Sequence, residues 1–228
     1  MQNKYLSNNS IDISDGKFVY DADAYASPIY LFLKRLIDIT GSLIGLIILS
    51  PIFIVVSIAI KLEDPKGSIF FGQERNGKYP KTFKMYKFRS MVHNAEELLE
   101  QLKAQNEMNG PAFKIKNDPR ITKVGKFIRK TSIDELPQLI NILKGDMSFV
   151  GPRPPIPREV AEYDEYQLQR LSVKPGLTCY WQVSGRNNID FEEWIELDLK
   201  YIKERNIFID IKLIMMTIPA LLGDKNAS

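Results

Sequence analysis

The sequence predicts a helix-rich α/β domain that is attached to a membrane by one N-terminal hydrophobic segment. Residues 39–60 form a run of 22 residues without a charge. The segments that follow alternate short strand-like patterns with amphipathic helical ones. Hydrophobic residues make up 44% of the chain and charged residues 26%, which is typical of a packed core. We therefore divide the chain into a polar, mobile leader (1–28), a membrane segment (29–62) and a single globular part (63–228).

Composition excludes several functional classes. Cys179 is the only cysteine, so an internal disulfide is impossible. His93 is the only histidine, and these two residues cannot build a zinc site of the usual kind. A metal here must be held by oxygen ligands, which favours Mg²⁺, Mn²⁺ or Ca²⁺. A net charge of +3 is too small to indicate a nucleic-acid partner.

The hydrophobic run is long enough to cross a bilayer, because a straight helix of its length rises roughly 33 Å. A buried helix of a soluble domain and a cleaved signal peptide are weaker alternatives. Pro51 lacks an N–H, so the carbonyl of Ile47 loses its helical partner and the helix bends. The Ser50 hydroxyl can stabilise this bend by donating to a carbonyl one turn earlier.

The flanking charges bear on whether the segment crosses. Lys34 and Arg35 border one end, and Lys61 and Lys66 follow the other, so both ends prefer the cytoplasmic side. A re-entrant hairpin bent at Ser50–Pro51 satisfies both preferences, whereas a kinked spanning helix satisfies only one. We therefore favour the re-entrant helix.

The globular part contains recognisable turn and cap signals. The predicted elements are two strands about an Asn76–Gly77 turn, a strand over 177–183, and helices over 93–109, 132–145, 158–173 and 190–205. The apolar tail from Ile207, which Pro219 is expected to interrupt, is too short to span and is predicted to be an interfacial or core helix.

The stretch from Arg75 to Arg89 holds six basic residues and no acidic one. It is either a solvated cationic face or a contact for anionic lipid headgroups. Arg89 is distinct because the predicted strand ends there, and a loop arginine can bind phosphate through two parallel hydrogen bonds.

Asp134 and Glu135 form an adjacent acidic pair in TSIDELPQ. In one interpretation Ser132 and Glu135 make a capping box and both acids only complement the helix dipole. In the other, the two carboxylates take different roles at a magnesium–phosphate site, one as a nucleophile and the other as a base or metal ligand.

Three further positions are candidates. Arg153 stands between Pro152 and Pro154 on a stiff loop, which is either a structural turn or a binding loop. Arg186, in WQVSGRNN, lies in a glycine-containing loop that could bind an anion through backbone N–H groups. Asp198 shares the apolar face of its helix, where a carboxylate must be paired or functional; a structural ion pair is the favoured interpretation.

Taken together, these segments resemble the bacterial sugar transferase family, the monotopic phosphoglycosyl transferases. The motifs that carry the resemblance appear in family order over roughly residues 30–215: KRLIDITGSLIGLIILSPIF, KMYKFRSM, NDPRITKVGKFIRKTSIDELPQLINILKGDMSFVGPRP, KPGLTCYWQVSGRN and ELDLKYI. Cys179 departs from the glycine that many relatives carry. Relatives often also have a large N-terminal multi-helix portion, so the chain resembles the minimal catalytic form.

The resemblance implies transfer of a sugar 1-phosphate from a UDP-sugar to undecaprenyl phosphate, with release of UMP, as the start of a surface glycan. Asp134 would be the nucleophile that forms a phosphosugar–aspartyl intermediate, and Glu135 would assist as a base or through Mg²⁺. Both carboxylates are candidate metal ligands. Arg153, with Pro152 and Pro154, would lie at the nucleotide.

The resemblance also implies a catalytic domain on the cytoplasmic face of the bacterial inner membrane. Lys34 and Arg35 would meet lipid headgroups, and Ser50–Pro51 would form the bend of the re-entrant helix. Membrane phospholipids, a homodimer partner and downstream glycosyltransferases are expected partners. Arg120, within the NDPRITKVGKFIRK segment, is an additional candidate. A membrane-bound glycosyltransferase that releases UDP and a non-enzymatic assembly scaffold are the rival readings.

Overall fold

The computed structural model describes residues 10–13, 17–102, 118–183 and 190–223. Within them, ten α-helices and three small sheets form a helix-rich α/β fold. The helices are α1 Pro28–Ile48, α2 Ser50–Glu63, α3 Ala95–Leu102, α4 Lys123–Lys130, α5 Gln138–Lys144, α6 Pro157–Ala161, α7 Glu165–Leu168, α8 Tyr180–Val183, α9 Phe191–Glu204 and α10 Ile207–Gly223. The strands are β1 Ser10–Ile13, β2 Lys17–Tyr20, β3 Phe70–Asn76, β4 Thr82–Phe88, β5 Ser148–Val150 and β6 Gly176–Thr178.

The hydrophobic segment folds as the pair α1 and α2, which meet at a bend of 59°. The Ser50 hydroxyl donates to the Ile47 carbonyl at 2.8 Å, so the predicted kink at Ser50–Pro51 and its hydrogen bond are confirmed. None of the individual helices in the described ranges is long and apolar enough to cross a bilayer, whereas the bent pair passes that test together. The re-entrant course in a membrane stays a prediction.

Each sheet has two strands: β1 and β2 are antiparallel, β3 and β4 are antiparallel, and β5 and β6 are parallel. The predicted hairpin is confirmed as β3–β4, with Asn76 opposite Thr82. Its connection is longer than a tight Asn76–Gly77 turn, because the Gly77 N–H bonds to the Lys81 carbonyl at 2.8 Å. The hairpin therefore closes over five residues, 77–81.

Side chains occupy the free edges of these small sheets. The Asn141 carboxamide accepts from the Tyr86 N–H at 2.9 Å and donates to the Lys84 carbonyl at 2.8 Å along β4. The Asp38 carboxylate on α1 accepts from the Phe149 N–H of β5 at 2.9 Å. Backbone groups that a third strand would bind are thus satisfied by α5 and α1.

Several predicted elements differ from the structure. The helix over 158–173 is divided into α6, α7 and a 3₁₀ turn at Gln169–Ser172. The strand over 177–183 ends at Thr178, and its second half is the helical turn α8. Pro219 does not end α10, which runs to Gly223. The predicted helix over 190–205 is confirmed as α9, whose Asp190 side chain caps the Glu193 N–H.

Residues 17–28, which composition assigns to the polar leader, lie against the globular part. Val19 and Ala22 are buried there. Asp23 forms ion pairs with Lys78 at 2.7 Å and Arg205 at 2.6 Å. These contacts hold the entry to α1 beside α9.

The helix α10, which was predicted to be an interfacial or core helix, and the basic helix α4 both expose large apolar side chains. Phe208 of α10 is 81% exposed, and Phe127 of the basic helix α4 is 60% exposed. Exposed aliphatic side chains also cover much of α1 and α2. This arrangement suits helices that meet lipid on one face.

Candidate active site

The acidic pair lies on a 3₁₀ turn and not in the first turn of a long helix. The turn spans Ile133–Glu135, and α5 begins only after Pro137. Pro137 cannot donate an N–H to the preceding turn, so a continuous helix over 132–145 is interrupted. Ser132 adopts a left-handed backbone with φ of 53° and makes no side-chain cap. The capping-box interpretation is therefore wrong, whereas Gly145, where the predicted helix over 132–145 ends, caps the end of α5 with φ of 91°.

Asp134 is buried, with 8% of its surface exposed. Its pKa is raised to about 6, chiefly by burial and also by the neighbouring Glu135 charge, although the charges of Lys87 and Arg129 act in the opposite direction. Lys87 Nζ lies 2.7 Å from a Glu135 oxygen and 4.0 Å from an Asp134 oxygen. At neutral pH the buried Asp134 carboxylate is therefore largely ionised and lies next to cations.

Arg129 approaches this pair from α4. Its Nε donates to the Ser90 hydroxyl at 2.8 Å, and its charge acts on Asp134. The close approach of α4 to the Ser90 carbonyl requires Gly125, because a Cβ there would collide with that carbonyl oxygen. Within the described residues, the terminal guanidinium nitrogens of Arg129 make no hydrogen bond, so they are available to an anion.

The PRP loop is held at both prolines. The Pro152 carbonyl accepts from the Gly176 N–H at 2.9 Å, and the Pro154 carbonyl accepts from Arg75 Nη1 at 3.0 Å. The Arg153 guanidinium lies over the rings of Trp181 and Trp194, at 5.8 Å and 6.0 Å from their centroids. These contacts orient Arg153 without using its N–H donors.

A fully buried ion pair packs against Trp194, one of the two rings beneath Arg153. Arg170 Nη2 donates to Asp198 at 2.5 Å, and the Arg170 guanidinium lies 4.6 Å from the Trp194 ring. Burial raises the pKa of Asp198, against the opposing charge of Arg170. The prediction that Asp198 forms a structural ion pair is therefore confirmed.

The PRP loop (residues 152–154) and the acidic pair both contact the hairpin β3–β4. The charges of Arg153 and Glu135 both act on Arg75, which lies on β3. Lys87 of β4 contacts the acidic pair directly. The hairpin β3–β4 therefore positions Lys87 at the acidic pair and Arg75 at the loop that holds Arg153.

Other predicted site residues have internal partners. Arg89 follows the end of β4, as expected, and donates to the Asp64 carboxylate at 2.5 Å and to the carbonyls of Asp64 and Ser68. Arg120 pairs with Asp118 at 2.6 Å. A phosphate at either residue would compete with these bonds, so their role in substrate binding stays a prediction. Arg186 lies outside the described residues.

Lys34 and Arg35 turn toward the protein. Lys34 Nζ donates to Asp210 of α10 at 2.8 Å and to the Val150 carbonyl at 2.9 Å. The Arg35 guanidinium donates to the carbonyls of Ile142 and Leu143, both at 2.8 Å, at the end of α5. The two residues thus fix α1 to the globular part, and the expected contact with headgroups stays a prediction.

The two carboxylates of the acidic pair could bind Mg²⁺ only together with ligands from water and the substrate phosphates. Among the described residues, no three acidic, histidine or cysteine side chains converge to hold a metal. Mg²⁺ commonly uses one or two carboxylates and completes its shell with water and substrate phosphates. Asp134 and Glu135 supply two such carboxylates, and the Lys87 ammonium already sits beside them.

Sequence reasoning missed Arg129, Trp181 and Trp194, and treated Lys87 as one of a basic series. Arg129 precedes Asp134 by five residues, which a continuous helix would have placed on another face. The two tryptophans are far apart in sequence, but their rings lie 5.0 Å apart. In the sequence, the only feature that distinguishes them is that the chain contains just these two tryptophans.

A buried carboxylate with a lysine ammonium 4.0 Å away and the charge of a nearby arginine acting on it suits an enzyme of phosphate-group transfer. The family model described as bacterial sugar transferase matches residues 29–224. The chain therefore belongs to the bacterial sugar transferase family, which is a family of transferase enzymes.

Relatives with recorded names agree with this membership. The galactosyl transferase CpsE of Streptococcus agalactiae serotype III is 48% identical over 89% of this chain and 46% of its own length. The undecaprenyl-phosphate galactose phosphotransferase of Salmonella typhimurium is 46% identical over 84% of this chain and 40% of its own length. The chain thus spans less than half of these two relatives. The exopolysaccharide production protein ExoY of Rhizobium meliloti is 38% identical over 90% of this chain and 92% of its own length.

Proposed function

We propose that this chain transfers a sugar 1-phosphate from a UDP-sugar to undecaprenyl phosphate and releases UMP. The reaction would be the first membrane step of a surface polysaccharide or glycoconjugate, on the cytoplasmic face of the bacterial inner membrane. The observation that carries the proposal is the buried Asp134, whose pKa of about 6 leaves it ionised at neutral pH among cationic side chains. The names of the Salmonella and Streptococcus relatives support a galactosyl donor class.

The first step uses Asp134 as a nucleophile. A carboxylate oxygen forms a bond to the β-phosphorus, and the bond from that phosphorus to the bridging oxygen breaks. The electron pair leaves with the α-phosphate, so UMP departs and the phosphosugar remains on Asp134. Lys87, Arg129 and Arg153 would stabilise the charge on the transferring and leaving phosphates.

The second step regenerates the carboxylate. An oxygen of undecaprenyl phosphate attacks the same phosphorus, and the bond to Asp134 breaks. A phosphate acceptor is already anionic at neutral pH, so this step requires no strong base. Glu135 would then chiefly hold Lys87 in place and contribute to the metal site.

Mg²⁺, when bound, would neutralise part of the diphosphate charge. Asp134 and Glu135 are the residues that would hold it, with the remaining ligands from water and the donor.

Release of UMP from a panel of UDP-sugars, with undecaprenyl phosphate and Mg²⁺, tests the proposal. We expect release with one sugar, its loss in Asp134→Asn, and its retention in the control Asp164→Asn, which alters an exposed helix cap. Intact-mass measurement without acceptor should find one phosphosugar on the wild type and none on Asp134→Asn.

Two rival functions predict different outcomes in this experiment. A membrane glycosyltransferase that moves the sugar without its phosphate would release UDP in place of UMP. A non-enzymatic assembly scaffold would release neither, and Asp134→Asn would leave its cellular function intact. Either result would refute the aspartyl mechanism.

A further inference from the structure

Arg75 is a buried arginine without a carboxylate partner. It is 7% exposed, at the end of β3. Nη1 donates to the Pro154 carbonyl at 3.0 Å and Nη2 to the Gln73 side chain at 2.6 Å, while Nε has no partner. Both acceptors are neutral, so among the described residues no carboxylate contacts this buried positive charge.

The other buried arginines in the described ranges show what this chain does otherwise. Arg170 pairs with Asp198 at 2.5 Å, Arg89 with Asp64 at 2.5 Å and Arg120 with Asp118 at 2.6 Å. Each therefore has an aspartate in direct contact. Of the four buried arginines in the described ranges, Arg75 alone lacks such an aspartate, which indicates that a bound anion supplies its counter-charge.

Arg75 also lies near a second cation. Burial and, second, the charge of Arg153 together lower the pKa of Arg75 to about 10. Glu159 and Glu135 act in the opposite direction but more weakly. The Arg153 guanidinium makes no hydrogen bond in the described part of the chain and is oriented only by Trp181 and Trp194. Two neighbouring guanidinium groups without an anion between them repel each other, and a polyanion would remove that cost.

We propose that Arg75 and Arg153 together bind the diphosphate of the nucleotide donor, with Arg75 as the second guanidinium of the clamp. Each guanidinium can donate two parallel hydrogen bonds to phosphate oxygens. Arg75 would at the same time hold the PRP loop through the Pro154 carbonyl. This inference rests on the proposed function, since it assumes a nucleoside diphosphate donor.

The chain supplies its own reporter for this site. Its two tryptophans are Trp181 and Trp194, and both lie against Arg153. Intrinsic fluorescence of the detergent-solubilised full chain should therefore change when UDP binds. Titrations with UDP, uridine and inorganic pyrophosphate would separate phosphate recognition from base recognition.

In Arg75→Met we expect the Kd for UDP and pyrophosphate to rise roughly ten- to hundredfold, while the Kd for uridine stays unchanged. The control Arg158→Met, at an exposed arginine of α6, should bind all three probes like the wild type. Equal loss of UDP and uridine binding in Arg75→Met would overturn the proposal, because it would mean that the variant only disorders the loop.

Thermal unfolding without nucleotide is an independent readout. Arg75→Met removes an uncompensated charge, so it should melt at or above the wild-type temperature and lose the stabilisation by UDP. A clearly lower melting temperature with unchanged UDP binding would assign Arg75 a structural role only. If the methionine variant does not fold, Arg75→Lys takes its place, and wild-type UDP affinity in that variant would overturn the clamp.

Failure of this inference is distinct from failure of the proposed function. A wild type that releases UMP, together with an Arg75→Met variant that binds UDP normally, would refute the clamp alone. A wild type that binds UDP through Arg75 but releases UDP from a UDP-sugar would refute the proposed reaction and leave the clamp standing.

Discussion

The proposed reaction requires an ionised Asp134, and this buried charge should lower the free energy of unfolding. Burial raises its pKa from 3.8 to about 6, so above about pH 6 the folded chain holds a charge that the unfolded chain would keep in water. This difference corresponds to an upper bound of roughly 3 kcal/mol. Because an acid with a raised pKa favours the protonated folded form, the cost is fully present above about pH 6 and is lost below about pH 4.

Asp134→Asn removes this charge and keeps the side-chain shape, so the variant should be inactive but more stable. At roughly 2–4 °C per kcal/mol, its melting temperature at pH 8 should exceed that of the wild type by at most about 6–12 °C. The gap should close near pH 4. Scanning calorimetry or a fluorescence melt in detergent and EDTA would measure it without bound metal.

Glu135→Gln is the matched control, because Glu135 pairs with Lys87 at 2.7 Å and its neutralisation removes an attraction. This variant should gain no stability at pH 8. The reasoning is refuted if Asp134→Asn melts below the wild type at pH 8, or if its advantage is the same at both pH values.

Three further predictions concern the same region and its supports. UMP release should fall about tenfold per pH unit below pH 6 as Asp134 is protonated, and a flat initial-rate profile would contradict the nucleophile. Arg170→Met should lower the free energy of unfolding, measured by chemical denaturation, by roughly 3–5 kcal/mol, because it leaves the buried Asp198 charge without its partner. Adding Asp198→Leu to this variant should restore most of the lost stability. A double variant that recovers no stability would contradict this explanation. Lys34→Met should lower the unfolding free energy by roughly 3 kcal/mol, because the buried Asp210 carboxylate loses its ion-pair partner and keeps only hydroxyl donors. Normal unfolding together with lost vesicle binding would instead assign Lys34 to lipid headgroups.

Features that depend on local chemistry were predictable from the sequence. The bend at Ser50–Pro51 follows from a missing N–H and a nearby hydroxyl, and both are properties of adjacent residues. The cap at Asp190 and the left-handed Gly145 are equally local. Such features require no knowledge of the tertiary fold.

Features set by distant contacts were not predictable in the same way. Ser132 takes a left-handed backbone, which non-glycine residues seldom adopt, so the 3₁₀ turn under Asp134 had no simple signal. The segment at Tyr180 has strand-like composition but forms a helical turn where its Trp181 ring meets Trp194 of α9.

Charge partners are the clearest case of this limit. Lys34 resembles a headgroup-binding lysine beside a membrane segment, yet its partner Asp210 lies 176 positions further along the chain. The acidic dyad itself was evident because its two members are adjacent. Its cationic surroundings come from α4 and β4, which only the fold brings together.

The side chains along the sheet edges have a consequence for how copies of this protein meet. A two-stranded sheet presents two open rows of backbone groups, and an exposed row can recruit a strand from another molecule. Asn141 bonds to β4, Asp38 to β5 and the Gln169 carboxamide to the Tyr20 N–H of β2. Where proteins crowd on a surface, these side chains would oppose strand exchange and fibrous aggregation.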